Sequence, residues 1–431
     1  MSAMARAATQ TDRRLAAVRL ADSPVALWIA FGAVHGVLVL LCFVSTGWPL
    51  GDIERVYRSW AEAAASGQFV VGITTPFVYP VLAFVPIMLA YGFGPDWYPQ
   101  VWLAMVTVLN AAALACLIGE GRSVRRVAAA WWWLAFLLVL GPIALPRIDS
   151  VTVPLVMMAL LWLRTRPLWA TALLALATWV KVWPVAVIAA LVVASRSRWR
   201  ILGAAAGTSA LVVVVALAAG SGVNVFSFIT QQTGRGIQIE SPVAAFWLWQ
   251  AAAGVPGSEV YYDREILTFQ VAGAGVDAAA WLMTPLMALA VAGILALGWR
   301  ATRRGRAVNI VLPPLVLALV ATLVAFNKVG SPQFITWFAA PVILGIVVCA
   351  REWRLPAALV MAMAALTHVV YPHLYSRLLE ADPWLVLALS ARNLLEFVVL
   401  GWAASRLWSV GSAAPAMTDE RSIQPALTVK E

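Results

Sequence analysis

Charge is what this sequence has least of. Asp, Glu, Lys and Arg make up 12% of its 431 residues, whereas 62% are hydrophobic. Apolar runs of about 20 residues recur along most of its length, and a soluble chain of this size could not bury that much apolar surface. A soluble globular fold is therefore excluded. Cysteine is nearly absent: Cys42, Cys116 and Cys349 each fall inside an apolar segment, which excludes a disulfide frame and a thiolate metal site. The three histidines, His35, His368 and His373, are scattered without metal-ligand spacing, so no metal and no cofactor is expected. The first 24 residues carry Arg6, Arg13, Arg14 and Arg19 but no cleavage site, and read as a retained cytoplasmic tail (1–24). Residues 25–410 form the membrane domain, and 411–431 read as a disordered cytoplasmic tail. Membrane lipids are the expected surroundings, and no nucleic-acid partner is expected.

What remains is an all-α polytopic chain. Candidate spans are 25–45, 100–119, 127–145, 151–163, 168–180, 183–195, 201–219, 281–298, 310–326, 334–350, 355–371 and 384–405. Short basic runs separate them, at 120–126, 164–167, 195–200, 299–306 and 351–354, and the positive-inside rule puts each in the cytoplasm. Twelve spans with both ends inside satisfy this, with 21 of the 30 Lys and Arg inside and eight outside. The segment 77–93 is apolar enough to cross, but counting it would invert every basic loop downstream. It carries Pro80 and Pro86, and reads as a re-entrant or interfacial helix on the outer side. Residues 168–194 would make a single helix of about 40 Å, so a hairpin of two short arms fits better. Lys181 and Pro184 then lie at a turn within the membrane's depth, where an ammonium needs a hydrated cavity.

Two outer regions are long, 46–99 and 220–280. The second contains AAFWLWQAA, which reads as an interfacial amphipathic helix. The first contains GDIERVYRSWAEAAASG (51–67), with charge concentrated on Asp52, Glu54, Arg55, Arg58 and Glu62. Its spacing predicts a helix capped by Asp52 and stopped at Gly67. Ile53, Val56, Tyr57, Trp60 and Ala64 form an apolar stripe laid on the membrane, with Glu54, Arg58 and Glu62 as neighbours on the other side. Deep in the last span, Arg392 and Glu396 are spaced for an intramembrane ion pair. An acidic cluster, a lysine at membrane depth and a shallow outer cavity suit an anionic lipid headgroup.

These residues carry a resemblance. Asp52-x-Glu54 after the first span resembles the modified Asp-x-Asp signature of the GT-C glycosyltransferases. Asp52, Val56, Tyr57, Gly67, Tyr79 and Pro80 together resemble glycosyltransferase family 87, as do VKVWP (180–184) and FNKVGSPQFITWFAAP (326–341). Arg147-Ile148-Asp149 departs from the pattern, standing where many relatives have Gly-Gln. The resemblance spans about 25–405 and implies a GT-C fold of about twelve transmembrane helices with outer interfacial helices.

It further implies a multi-pass plasma-membrane enzyme with its active site on the outer, periplasmic side. The implied activity is transfer of mannose from polyprenyl-phosphate-mannose to a glycolipid acceptor, such as a phosphatidylinositol mannoside, with an α-1,2 linkage and inversion. Inversion needs one carboxylate base, and Asp52 is the implied one. Lys181, Lys328 and Arg55 are candidates for the donor phosphate, whose charge fixed cations can stabilise without a metal. Glu54, Tyr57, Tyr79, Arg147, Asp149, Asn327, Ser331, Gln333 and His373 are candidate substrate contacts. Two other readings stay open: a transporter or lipid flippase, and a transferase using another polyprenyl-phosphate sugar such as arabinose or glucose.

Overall fold

The computed structural model describes residues 23–119 and 123–412. Most of the N-terminal tail, residues 120–122 of the first basic run, and the tail from 413 lie outside the described residues. The regular structure of the described chain is helical apart from one β-hairpin and two isolated β-bridges. Each of the twelve apolar segments coincides with a helix. In chain order the helices are α1 (Pro24–Val44), α2 (Arg58–Ala65), α3 (Phe84–Ala90), α4 (Tyr98–Ile118), α5 (Val124–Leu140), α6 (Asp149–Trp162), α7 (Pro167–Val180), α8 (Val185–Ala194), α9 (Arg198–Ala218), α10 (Ser227–Thr233) and α11 (Ala245–Ala252). After the hairpin β1 (Glu259–Asp263) and β2 (Thr268–Ala272) come α12 (Val276–Arg303), α13 (Val308–Ala325), α14 (Ala339–Cys349), α15 (Arg354–His368), α16 (Tyr375–Leu379) and α17 (Pro383–Ser412).

Among the described residues, eight helical stretches are long and apolar enough to cross a membrane. Helices α5, α6, α7 and α8 are shorter, at 17, 14, 14 and 10 residues. The molecule is thus a multi-pass membrane protein in which several helices stop short. Helix α13 is its central post, buried without interruption from Val311 to Thr322, as a helix that is apolar all round should be. Helices α9 and α12 instead turn most of their apolar side chains outward, Leu211, Val214, Val215, Trp281 and Leu289 among them, and so present them to lipid.

The region 77–93 folds as α3 between single 3₁₀ turns at Val81–Ala83 and Tyr91–Phe93. That run is about 20 Å long, too short to cross alone. The Tyr98 hydroxyl ties it to α4 by donating to the Ile87 carbonyl at 3.0 Å.

The 51–67 stretch is helical, but two expectations about it fail. Asp52 is not an N-cap: its backbone is already helical (φ −65°, ψ −36°) and its side chain makes no capping bond. The first turns widen into a π-turn over Ile53–Tyr57 before α2 begins. The apolar stripe also faces inward rather than onto the membrane. Ile53, Tyr57 and Ala61 join the main core, with the Tyr57 ring 5.1 Å from Trp102 and Trp60 5.2 Å from Phe77. The protein's own aromatic residues offer this stripe a closer-packed surface than a headgroup layer would.

The β-hairpin in the second long region was not foreseen. Its strands pair in antiparallel register from Glu259↔Ala272 to Asp263↔Thr268. The segment before α11 joins it through the Gln238↔Gln270 bridge. Helix α11 holds Trp247 and Leu248 inward while Phe246 and Trp249 stay exposed, the two-faced pattern expected of it.

Candidate functional site

Local geometry delivers Asp52 to the edge of a cavity of about 710 Å³. The helical start at Gly51 and the π-turn after it fix the direction of its side chain, which remains 43% exposed. From behind, Arg147 holds it, with Nε 3.2 Å from the Asp52 Oδ2 atom. Arg147 is itself buried, and the rest of its fork is committed elsewhere. Nη1 donates to the carbonyls of Pro49 and Pro146, both at 2.7 Å, and Nη2 donates to the Tyr371 hydroxyl at 3.0 Å. Burial by itself would weaken the hold of this guanidinium on its proton. The Asp52 carboxylate, with the hydroxyls of Tyr371 and Tyr57, outweighs burial and holds the group above its ordinary range. Asp52 Oδ2 is thus the oxygen turned toward Arg147.

Next to Asp52 the cavity wall is aromatic. Tyr57 and Tyr79 both line it, their hydroxyls 3.4 Å apart. Burial pushes the Tyr57 hydroxyl well up, so it acts as a neutral hydrogen-bonding group.

Opposite lies the turn between α7 and α8. Helix α7 ends at Val180 because Lys181 leaves helical conformation (φ −149°, ψ 137°) and Pro184 follows at the N-terminal edge of α8. Lys181 Nζ sits 4.6 Å from the centre of the Tyr79 ring and 3.6 Å from Asp149 Oδ2. Asp149 is 1% exposed. Its Oδ1 accepts from Trp337 Nε1 at 2.7 Å, and its Oδ2 makes no hydrogen bond. Trp337 stacks between Phe334 and Trp183, and Trp183 Nε1 donates to the Thr152 hydroxyl at 3.0 Å. The lysine therefore stands on a rigid aromatic and carboxylate base.

The third side is the connection after α13, which brings Asn327, Lys328 and Ser331, with Gln333 from the 3₁₀ helix Pro332–Phe338 that follows, to the same cavity. Arg235 and Gln238 join them from the long region after α9, and neither stood out in the sequence. Burial and the nearby Arg235 charge lower the proton affinity of Lys328, and burial first of all lowers that of Arg235. Two cations facing one hollow in this way leave a place for an anion. The sequence holds three lysines, Lys181, Lys328 and Lys430, and both within the described residues line this cavity. That scarcity is a second signal, beside the resemblance, that marks these two candidates.

Other candidates stand apart. Arg55 lies over the Trp48 ring at 3.7 Å, Glu54 accepts from Trp48 Nε1, and neither lines the cavity. Glu62, not Glu54, is the partner of Arg58, at 3.5 Å. Arg147 and Asp149 do not pair with each other; each backs a different cavity residue. His373 is exposed beside His368, with ring centres 5.4 Å apart, and is not part of the cavity wall. Arg392 does meet Glu396, at 3.7 Å, and it also meets Glu240 at 3.2 Å, which fastens the long region after α9 to α17. Among the described residues no group of three His, Cys, Asp or Glu is placed to hold a metal ion.

Comparison with known proteins adds one finding. The family model described as glycosyltransferase family 87 matches residues 77–258, which includes Tyr79, Arg147, Asp149, Lys181 and Arg235. No curated protein and no solved structure matches the chain. The family match, together with the apolar helices, supports a membrane glycosyltransferase, which implies a sugar donor and an acceptor.

Proposed function

We propose that the protein transfers mannose from polyprenyl-phosphate-mannose to a membrane glycolipid, a phosphatidylinositol mannoside, with an α-1,2 linkage and inversion. The reaction takes place at the outer face of the plasma membrane. The observation that carries this reading is a half-exposed carboxylate, Asp52, held by Arg147 and meeting Lys181, Lys328 and Arg235 around a single cavity, whose wall also carries the exposed Glu265. Thr284 and Met287 of the lipid-facing α12 complete the wall, which suits a donor whose tail stays in the bilayer.

In this scheme Asp52 Oδ1 takes the proton of the acceptor hydroxyl as its oxygen attacks the anomeric carbon. The bond from that carbon to the phosphate oxygen breaks, and its electron pair leaves with the phosphate. The polyprenyl phosphate departs with one more negative charge than it had in the donor, and the fixed cations stabilise that charge as it forms. No metal or other cofactor is required, because side chains already supply the cations.

The test uses purified protein, labelled polyprenyl-phosphate-mannose and extracted envelope glycolipids, with the arabinose and glucose donors in parallel. Asp52→Asn should lose about 10²- to 10⁴-fold in transfer rate, while Glu62→Gln stays close to wild type. Asn still offers an oxygen to Arg147, so the variant should fold. Near wild-type transfer by Asp52→Asn would remove Asp52 as the base. Transfer from another donor, with none from mannose, would overturn the choice of sugar.

A further inference from the structure

A second cavity, of about 610 Å³, lies far from the first. Two helix-joining turns form it: Ser195–Ser197 between α8 and α9, and the turn between α12 and α13. Helices α8, α12 and α13 contribute to both cavities, at opposite ends. On α13 the two are marked by Val308 and Leu323, about 22 Å apart along the axis. The second cavity therefore sits at the other membrane face, the end to which the positive-inside rule assigns the cytoplasm.

Its chemistry differs sharply from that of the first. Arg196, Arg198, Arg303 and Arg306 line it with the hydroxyl residues Ser195, Ser197 and Thr302, and among the described residues no carboxylate does. Arg198, Arg196 and Arg303 form no ion pair among the described residues. Arg198 and Arg303 lie over the same indole, Trp299, at 4.5 and 5.3 Å from the ring. The turn is fixed by Gly305, whose φ of +73° few other residues adopt, and whose N–H donates to the Thr302 carbonyl at 2.9 Å. The like charges of Arg196, Arg198 and Arg303 are thus held together by a rigid scaffold, with no carboxylate among the described residues that line the hollow. A bound anion would relieve that repulsion. Trp199, largely exposed beside them, and Trp299 are of the type that settles at the headgroup layer.

We propose that this basic hollow binds the phosphate headgroup of an anionic lipid from the membrane leaflet opposite the Asp52 cavity. The site is independent of the transferase reading, since none of its residues belongs to that machinery.

The experiment uses the purified full chain in detergent micelles, with native mass spectrometry counting retained lipid. Phosphatidylglycerol should be retained and zwitterionic phosphatidylcholine should not. Arg198→Gln with Arg303→Gln should weaken phosphatidylglycerol retention by about thirtyfold, two cations' worth of attraction to an anionic headgroup, and Arg303→Gln alone by about fivefold. Arg303 is exposed, so the single variant should melt like wild type. Arg164→Gln with Arg166→Gln, in the turn between α6 and α7, is the control and should retain lipid normally. Equal retention by wild type and the double variant would overturn the proposal, as would an equal loss in the control. Inorganic phosphate is the second arm: binding that differs between wild type and the double variant for phosphate, but not for the lipid, would overturn the lipid assignment. A difference for the lipid but not for phosphate supports it.

Discussion

Arg147 shows how much of this site depends on one side chain that no substrate need touch. It joins Asp52 to two loop carbonyls and to Tyr371, using nearly all of its N–H donors in a planar fork. A lysine is a single point charge and cannot hold all four partners. Arg147→Lys should therefore let the Asp52 carboxylate drift. Misplacement on the order of 1 Å costs about a hundredfold in rate, so kcat should fall by about 10- to 100-fold with KM little changed. Combined with Asp52→Asn, the same change should add little, because both act on one proton transfer. Additive losses, or an unchanged kcat, would make Arg147 a packing residue. Asp52 was legible in the sequence, since charge is rare here and its surroundings resemble a glycosyltransferase loop. Its partner was not, because no local periodicity links residues so far apart in the chain. Arg235 and Gln238 escaped for the same reason: they reach the cavity only through the fold of the long region after α9.

The hairpin of α7 and α8 makes a different case, because here sequence and structure agree and the element explains the residue. Its arms are about 21 Å and 15 Å long, against a hydrocarbon core of about 30 Å, so the turn carrying Lys181 is held inside the membrane's depth. There the lysine meets the buried Asp149. Lys181→Met should lower transfer by about tenfold to a hundredfold through the lost charge-assisted bonds to phosphate. It should also lower the melting temperature, because it leaves Asp149 buried without its counter-charge. Adding Asp149→Asn, which keeps an acceptor for Trp337 Nε1, should restore the melting temperature without restoring turnover. Recovery of both would reduce Lys181 to a structural partner. Elements with strong apolar patterns were readable in this way, all twelve of them. The β-hairpin was not, although Val260, Tyr262, Phe269 and Val271 have strand character, because it is short and lies among loop residues. The failed Asp52 cap has a related cause. A polar residue after Gly51 looks like a helix start, and only the contact with the buried Arg147 shows where that side chain goes instead.

For the whole molecule, the decisive property is that its two cavities lie at opposite ends. Asp52, Glu265 and both described lysines line the cavity at one end, whereas the runs at 164–167, 195–200, 299–306 and 351–354 carry only arginine as their basic residue, with Glu352 the one acid among them. Helix α12 ties the ends together. It starts three residues after the β-hairpin closes, ends at Arg303, and its 28 residues span about 42 Å, the thickness of a bilayer with its headgroup layers. The hairpin and the 299–306 turn must then face different compartments. Single cysteines at Glu259 and Arg304, both exposed, report this in a background with Cys42, Cys116 and Cys349 replaced. On intact cells an impermeant thiol reagent should label the Glu259→Cys protein, and should reach the Arg304→Cys protein only after permeabilisation. Labelling of both from outside would mean that α12 does not cross. The reverse pattern would put the Asp52 cavity in the cytoplasm, and the sugar donor would then have to be presented on the inner leaflet.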